Sequence, residues 1–170
     1  MALQAQFRAA GTQASFFAKI GGIFLLDKSM NGLARIDELC VQMRGIFEQV
    51  LSTSQIEGTA GSCLHASILL QQALDKFGDC ETVVRGGDGS GDGGARDMAG
   101  QWRGHYWVEG VTKDGCPFLA DITADQFGWP PVVVMPLETA RTRYSPGNDQ
   151  IAGDAVADEL ERMLQHAAHD

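Results

Sequence analysis

Cysteine is scarce in this sequence, and no two cysteines are closely spaced. The 170 residues contain four of them, Cys40, Cys63, Cys80 and Cys116. None forms a Cys-x-x-Cys pair, so the spacing fits neither a zinc site nor a dense disulfide framework. We expect mostly reduced thiols and a cytoplasmic protein. Two disulfides in a secreted protein, such as an effector, are the alternative.

Positive charge is also in short supply. Lysine and arginine number 13 against 22 aspartates and glutamates, which gives a net charge of −9 and a pI of about 4.8. Nucleic-acid-binding proteins, and proteins that dock on anionic membranes, usually present a basic face. We therefore expect neither nucleic acid nor a membrane as a partner.

Long hydrophobic runs are missing as well. The longest near the N-terminus, residues 20–26, is far shorter than the ~20 residues that span a bilayer. Only Arg8 and Lys19 supply positive charge before it, and no small-residue cleavage site follows, so a signal peptide is not expected either. Hydrophobic residues make up 44% and charged residues 21%. This ordinary balance predicts one globular domain over residues 1–170.

Helical periodicity is present in several segments. Apolar residues recur at spacings of three and four over 33–51 and again over 62–77, which predicts two amphipathic helices. Similar stripes at 16–24 and 151–168 predict helical extensions at the two ends. The core of the domain is then expected at about 33–135.

Strand signals lie between the second helix and the C-terminal stripe. Short runs rich in β-branched and aromatic residues predict strands at 81–85, 103–111, 117–122 and 132–134. The second and third are separated by a tight turn and predict a hairpin. The chain is therefore expected to be α+β.

Cys63 stands out among the cysteines because of its place in the second helix. Ser62 is a suitable N-cap and Gly78 a suitable end, so Cys63 falls in the first turn. Free backbone N–H groups and the helix dipole stabilise an anion there, which favours a thiolate. Cys63 is thus a candidate nucleophile; the alternative is a buried cysteine that acts as a small hydrophobic residue.

Two further residues complete a candidate triad. His105 opens the strand His-Tyr-Trp-Val-Glu, and Asp121 lies in Leu-Ala-Asp-Ile-Thr on the hairpin partner, so both can face one side of the sheet. His105 would act as the base and Asp121 would orient it, with Asp125 as a fallback. His65 is a poor base because positions i and i+2 of a helix face apart. The alternatives are a solvent-facing strand histidine and a turn aspartate.

The order of these motifs carries a resemblance. A helix that begins with Cys63 before Ala66 and Leu69, then the His105 strand, then the Asp121 strand, resembles the transglutaminase-like branch of the papain-like cysteine enzymes over roughly 55–127. That resemblance implies a cysteine-bearing helix packed on an antiparallel sheet that carries the histidine and the aspartate. The tryptophan that often flanks the nucleophile in that family is absent, since Ser62 and Leu64 stand there.

The family contains proteases, amidases, deamidases, cross-linking enzymes and inactive scaffolds. We expect a cysteine-dependent hydrolase that attacks an amide carbonyl of a peptide or protein substrate and passes through an acyl-enzyme. The small size suits a bacterial or phage protein. A non-catalytic interaction module on the same fold is one alternative, and an acyltransferase or cross-linking transglutaminase is another.

Supporting residues are proposed for two roles. An oxyanion hole needs preorganised donors, for which Gln126, Gln55 and the backbone N–H of Cys63 are candidates. A substrate groove could be lined by Trp107, Trp102 and Trp129. The alternatives are solvated loop glutamines and tryptophans that pack in the core or the hairpin.

Glycine and aspartate dominate the segment 86–100. Its carboxylates, Asp88 and Asp92 in particular, could hold calcium, although no EF-hand pattern is present. A mobile lid over the site is a second interpretation, because the segment leads into the His105 strand. A disordered surface insertion is the third, and the one we favour from sequence. Apart from this weak calcium signal, no cofactor or metal is expected.

Overall fold

The computed structural model describes residues 31–167, so the helical stripe expected at 16–24 lies outside the described residues. The helices are α1 (Gly32–Thr53), α2 (Cys63–Phe77), the short α3 (Leu137–Ala140) and α4 (Asp149–Ala167). The strands are β1 (Cys80–Gly87), β2 (Gly94–Arg96), β3 (Trp102–Arg103), β4 (His105–Thr112), β5 (Pro117–Asp121), β6 (Val133–Pro136) and β7 (Tyr144–Ser145). A 3₁₀ turn, Ala124–Phe127, follows β5. The chain is α+β, as its periodicity predicted.

The two long helices begin and end for identifiable reasons. The Asn31 side chain caps α1 by accepting the N–H of Ala34 at 2.8 Å. Ser62 stands at the N-cap position of α2, but its hydroxyl donates to the carbonyl of Thr59 at 2.6 Å and leaves the first N–H groups of α2 uncapped. Gly78 ends α2, and its N–H donates to Leu74. The expected cap position of α2 is therefore right, but the capping bond is absent.

The main sheet has the order β1-β4-β5-β6, and every neighbouring pair is antiparallel. β4 and β5 form the expected hairpin, with Val108 opposite Ala120 and Glu109 opposite Leu119. Because β4 begins and β5 ends at the same end of this hairpin, His105 and Asp121 come to that end together.

The hydrophobic core occupies both faces of this sheet. On one face α1 and α2 bury their apolar stripes, including Leu39, Phe47 and Leu69, against Val108 and Phe118. The other face buries the group Ala95, Trp107, Leu119, Ala124, Val133, Ala140 and Tyr144. Helices thus pack on one face of an antiparallel sheet, while β2, β7 and the short α3 cover the other.

The glycine-rich segment is more ordered than its composition suggested. Residues Gly94–Arg96 form β2, the central strand of a small antiparallel sheet between β3 and β7, and Ala95 is buried. The interpretation of 86–100 as a disordered surface insertion is therefore wrong. Low complexity did not prevent pairing because two other short strands supply the hydrogen-bonding partners for β2.

The remaining helix, α4, packs beside β1 and α2 and buries Ala152 and Glu159. No helix within residues 31–167 is both long enough and apolar enough to cross a membrane.

Candidate active site

Cys63 is the first residue of α2 and lines a cavity of about 220 Å³. The chain reaches it through a turn at Gly61, whose φ of 75° lies in the left-handed region that favours glycine. In the described part of the chain the Cys63 N–H donates to no acceptor, because it lies in the uncapped first turn. Cys63 thus combines a half-buried thiol with a backbone N–H that has no acceptor among the described residues.

His105 and Asp121 form a buried pair behind this cavity. The Nε2 atom of His105 lies 2.8 Å from Oδ2 of Asp121, and their side chains are 0% and 1% exposed. His105 also lines the cavity with Cys63. The structure thus brings together the three residues that the sequence motifs selected.

The Asp121 carboxylate accepts hydrogen bonds at both oxygens. Oδ1 accepts the N–H of Thr123 at 2.8 Å and its hydroxyl at 3.1 Å, while Oδ2 accepts the Tyr144 hydroxyl at 2.9 Å as well as His105. Burial raises the pKa of Asp121, but His105 and these donors outweigh it and hold that pKa below its ordinary value. Asp121 is therefore an ionised carboxylate at neutral pH.

The ionisation of His105 follows from its neighbours. Burial lowers its pKa, while the charge and hydrogen bond of Asp121 and a contact with Cys63 raise it, and the balance brings the pKa to about 9. Nε2 is committed to Asp121. Nδ1 is buried and lacks a partner of regular hydrogen-bond geometry among the described residues. Cys63 is the neighbour close enough to act on the ring, so Nδ1 is the atom available for proton exchange with the thiol.

Aromatic rings fix the orientation of the imidazole. The Phe127 ring meets His105 edge-on with centroids 4.6 Å apart, and the Trp107 ring stacks at 6.2 Å. Tyr144 packs against Trp107 at 5.3 Å. Trp107 is completely buried and does not line the cavity, so it supports the histidine from behind. As period two predicted, His105, Trp107 and Glu109 are all buried on one face of β4.

Tyr144 is a site residue that sequence reasoning missed. It lies on β7, which pairs with β2 of the glycine-rich segment, and its hydroxyl holds Asp121. The two-residue strand has no periodicity that could have revealed it. The glycine-rich segment therefore supports the site indirectly, through the strand that carries Tyr144.

The oxyanion candidates lie in different places. Nε2 of Gln126 is buried without a hydrogen-bond partner in the described chain, but Gln126 does not line the cavity. Gln55 is exposed after the end of α1 and lines a separate depression beside Arg44 and Glu48. Of the three candidates, Cys63 is thus the residue that lines the cavity.

The other tryptophans contact arginines away from the cavity. The Arg96 guanidinium lies 5.0 Å from the ring centroid of Trp102, and Arg143 lies 4.3 Å from that of Trp129. Trp129 Nε1 also donates to the carbonyl of Arg96 at 2.9 Å. Neither ring lines the opening at Cys63.

The fallback acid and the rival histidine have partners elsewhere. The Asp125 carboxylate accepts a hydrogen bond from each terminal nitrogen of Arg44 on α1, both at 2.8 Å. His65 lies 2.6 Å from Glu159 of α4. Neither residue lines the cavity at Cys63.

The two aspartates proposed for calcium line the same cavity as Cys63. Asp88 Oδ1 accepts the N–H of Ser90 at 2.6 Å, and Asp92 Oδ1 accepts the N–H of Asn148 at 3.0 Å. Within residues 31–167, no group of three or more ligating side chains is arranged to hold a metal ion. The remaining contributors to the cavity are Gly86, Gly87, Gly104, Tyr106, Asn148, Ile151 and Ala152.

Comparison with known proteins gives no further assignment: no family model matches the sequence, and no curated protein or solved structure matches it significantly.

Proposed function

We propose that this protein is a cysteine-dependent hydrolase of transglutaminase-like fold that cleaves an amide bond of a peptide or protein substrate. One observation carries the proposal. His105 is buried between the Asp121 carboxylate and the Cys63 thiol, with Nε2 bonded to the acid and Nδ1 left for the thiol. A structural histidine–carboxylate pair does not need a cysteine at an uncapped helix N-terminus on its open side.

The geometry supports an acyl-enzyme mechanism. His105 Nδ1 holds the proton of the Cys63–His105 pair, and the Cys63 thiolate sulfur attacks the carbonyl carbon while the carbonyl π electrons move to oxygen. The N–H of Cys63 donates to that oxyanion. As the intermediate collapses, the C–N bond breaks and His105 returns its proton to the departing amine.

Water completes the cycle. His105 removes a proton from a water molecule, whose oxygen attacks the thioester carbonyl. The C–S bond then breaks, the acid leaves, and Cys63 departs as a thiolate beside the protonated His105. Throughout, Asp121 stays ionised and holds the imidazole in one tautomer and orientation.

The test is the reactivity of Cys63 toward iodoacetamide at pH 6.5 in the native protein, followed by peptide mapping. We expect Cys63 to react faster than Cys116, and His105→Ala to slow it at least tenfold because Cys63 loses the imidazolium that stabilises its thiolate. His65→Ala is the matched control, since His65 is closer in sequence but lies against Glu159, 2.6 Å away. It should change the rate less than threefold.

If Cys63 reacts rapidly and its rate depends on His105, peptide amides are screened as substrates. Cys63→Ala should then abolish their turnover. If Cys63 reacts no faster than Cys116, or if His105→Ala leaves its rate unchanged, the hydrolase proposal fails. A non-catalytic interaction module then becomes the better interpretation.

A further inference from the structure

The cavity beside Cys63 has an unusual charge distribution. Asp88 and Asp92 both line it, and no lysine or arginine of the described chain does so. His105 supplies the positive charge on the inner wall, where it faces Cys63. Beyond the reacting atoms, the charged side chains that line the cavity are therefore both carboxylates.

The two carboxylates are held in place by backbone donors. One oxygen of each accepts a backbone N–H, from Ser90 for Asp88 and from Asn148 for Asp92. The second oxygen of each has no donor among the described residues. An ionised carboxylate accepts at both oxygens, so each retains capacity for a hydrogen bond or ion pair with a ligand.

Glycines allow this arrangement. A Cβ on Gly104 would lie 2.9 Å from the carbonyl oxygen of Asp88, and a Cβ on Gly87 would collide with the carbonyl of Asp92. The segment that carries the two acids can therefore lie directly against the ends of β1 and β4. The backbone that carries the two aspartates is thus held by close packing.

We propose that Asp88 and Asp92 make this site selective for a positively charged group, such as a lysine or arginine side chain or a free amine, next to the bond that Cys63 attacks. This proposal rests on the proposed hydrolase function. The cavity volume of about 220 Å³ falls below the ~300–1,000 Å³ of typical small-molecule sites, so it suits one extended side chain. Tyr106 and Ile151 offer apolar surface for the stem of such a side chain.

Net charge reinforces the local effect. The chain carries −9, and a field of that sign raises the local concentration of cations around an acidic opening. If the two local carboxylates cause the selectivity, removing their charge should weaken it, and removing the same charge elsewhere on the chain should not. A control of equal charge can therefore separate the two contributions.

The experiment compares three methanethiosulfonate reagents that differ in charge: the neutral methyl ester, the cationic 2-(trimethylammonium)ethyl ester and the anionic 2-sulfonatoethyl ester. Rates at Cys63 are read by non-reducing peptide mapping. The test variant is Asp88→Asn with Asp92→Asn, which keeps an acceptor oxygen for each backbone N–H. The matched control is Asp154→Asn with Asp158→Asn, which removes the same charge from exposed positions of α4 away from the cavity.

We expect the ratio of cationic to anionic rate to fall about tenfold in the test variant and less than twofold in the control, as two nearby unit charges in partly hydrated surroundings predict. The ratio in the native protein should also shrink in 1 M salt. An unchanged ratio in the test variant overturns the selectivity proposal.

The neutral reagent tests the underlying function separately. Suppose the neutral reagent reacts more slowly with Cys63 in His105→Ala, but the ratio of cationic to anionic rate is the same with and without the charges of Asp88 and Asp92. Then only the selectivity proposal fails. If the neutral rate does not respond to His105→Ala, or if none of the three reagents labels Cys63, the hydrolase proposal fails and the selectivity proposal fails with it.

Discussion

Two histidines near Cys63 are each paired with a buried carboxylate, yet their environments differ. His105 lies 2.8 Å from Asp121 in a regular hydrogen bond, and its pKa is raised to about 9. His65 lies 2.6 Å from Glu159. Burial is the largest influence on both rings, but at His65 the contributions that raise the pKa do not outweigh it, so the pKa of His65 is lowered. Neither atom of that closer contact is in a hydrogen bond of regular geometry.

The other groups that contact the two carboxylates explain why the pKa values of the two histidines differ. Asp121 receives neutral donors from Thr123 and Tyr144, so the positive charge beside it is free to reside on His105. Glu159 is shared with Arg162, whose charge disfavours a second cation at His65. Under the proposed hydrolase function, His105 and not His65 is the histidine that serves Cys63, because Asp121 is not shared with a permanent cation among the described residues, whereas Glu159 is.

The largest expected effect comes from removing the Asp121 charge. Asp121→Asn should lower the free energy of unfolding at pH 6 by about 3–5 kcal/mol, the range for breaking a buried ion pair. Without the carboxylate, burial dominates, so the pKa of His105 should fall from about 9 to below 6.5. Urea unfolding and NMR titration of the imidazole measure the two quantities.

Asp125→Asn is the control for this variant, because Asp125 pairs with Arg44 at a partly exposed site. It should cost about 1 kcal/mol and leave the His105 titration in place. A His105 pKa near 9 in Asp121→Asn would contradict the assignment of Asp121 as the group that holds the charge.

The second effect is a pH dependence of stability that belongs to His105. Its pKa is about 9 when folded against an ordinary 6.5, so the folded state binds the proton more tightly. The contribution is complete below pH 6.5 and is lost as pH rises through 9. A shift of this size corresponds to about 3 kcal/mol, and urea unfolding at pH 6.5 and pH 9.5 should show the loss.

Cys63→Ala should reduce this loss of stability at alkaline pH, because Cys63 helps to raise the pKa of His105. An equal loss in His105→Gln would contradict this origin.

The third effect concerns Tyr144. Tyr144→Phe removes one hydrogen bond to a charged acceptor and should lower the free energy of unfolding by about 1.5 kcal/mol. Asp121 keeps its other donors, so alkylation of Cys63 at pH 6.5 should slow only severalfold. Loss of the whole His105-dependent rate would mean that Tyr144 positions the imidazole and does more than support the acid.

The sequence was informative where a residue lies on a periodic element. The helix stripes and the hairpin predicted where Cys63, His105 and Asp121 fall, and period two placed Trp107 and Glu109 beside His105. These predictions succeeded because apolar periodicity determines which face of an element is buried.

Residues on short or aperiodic elements could not be found in this way. Tyr144 is held by a two-residue strand, and β2 is a three-residue strand within a glycine-rich run. Their pairing depends on tertiary contacts between distant segments. The same holds for Asp88 and Asp92, whose place at the cavity follows from close packing of glycine backbone.

The smallest expected effect concerns the contact between His65 and Glu159. Glu159→Gln should lower the free energy of unfolding by about 1 kcal/mol at pH 8, since the partner is then a neutral imidazole in poor hydrogen-bond geometry. His65 has a lowered folded pKa, so its contribution to stability is lost as pH falls below 6.5, which is the opposite sign to that of His105. In His65→Gln, stability should therefore fall less between pH 6.5 and pH 5 than in the native protein, while the loss above pH 6.5 persists. If His65→Gln removes the alkaline loss instead, the roles assigned to the two histidines are reversed.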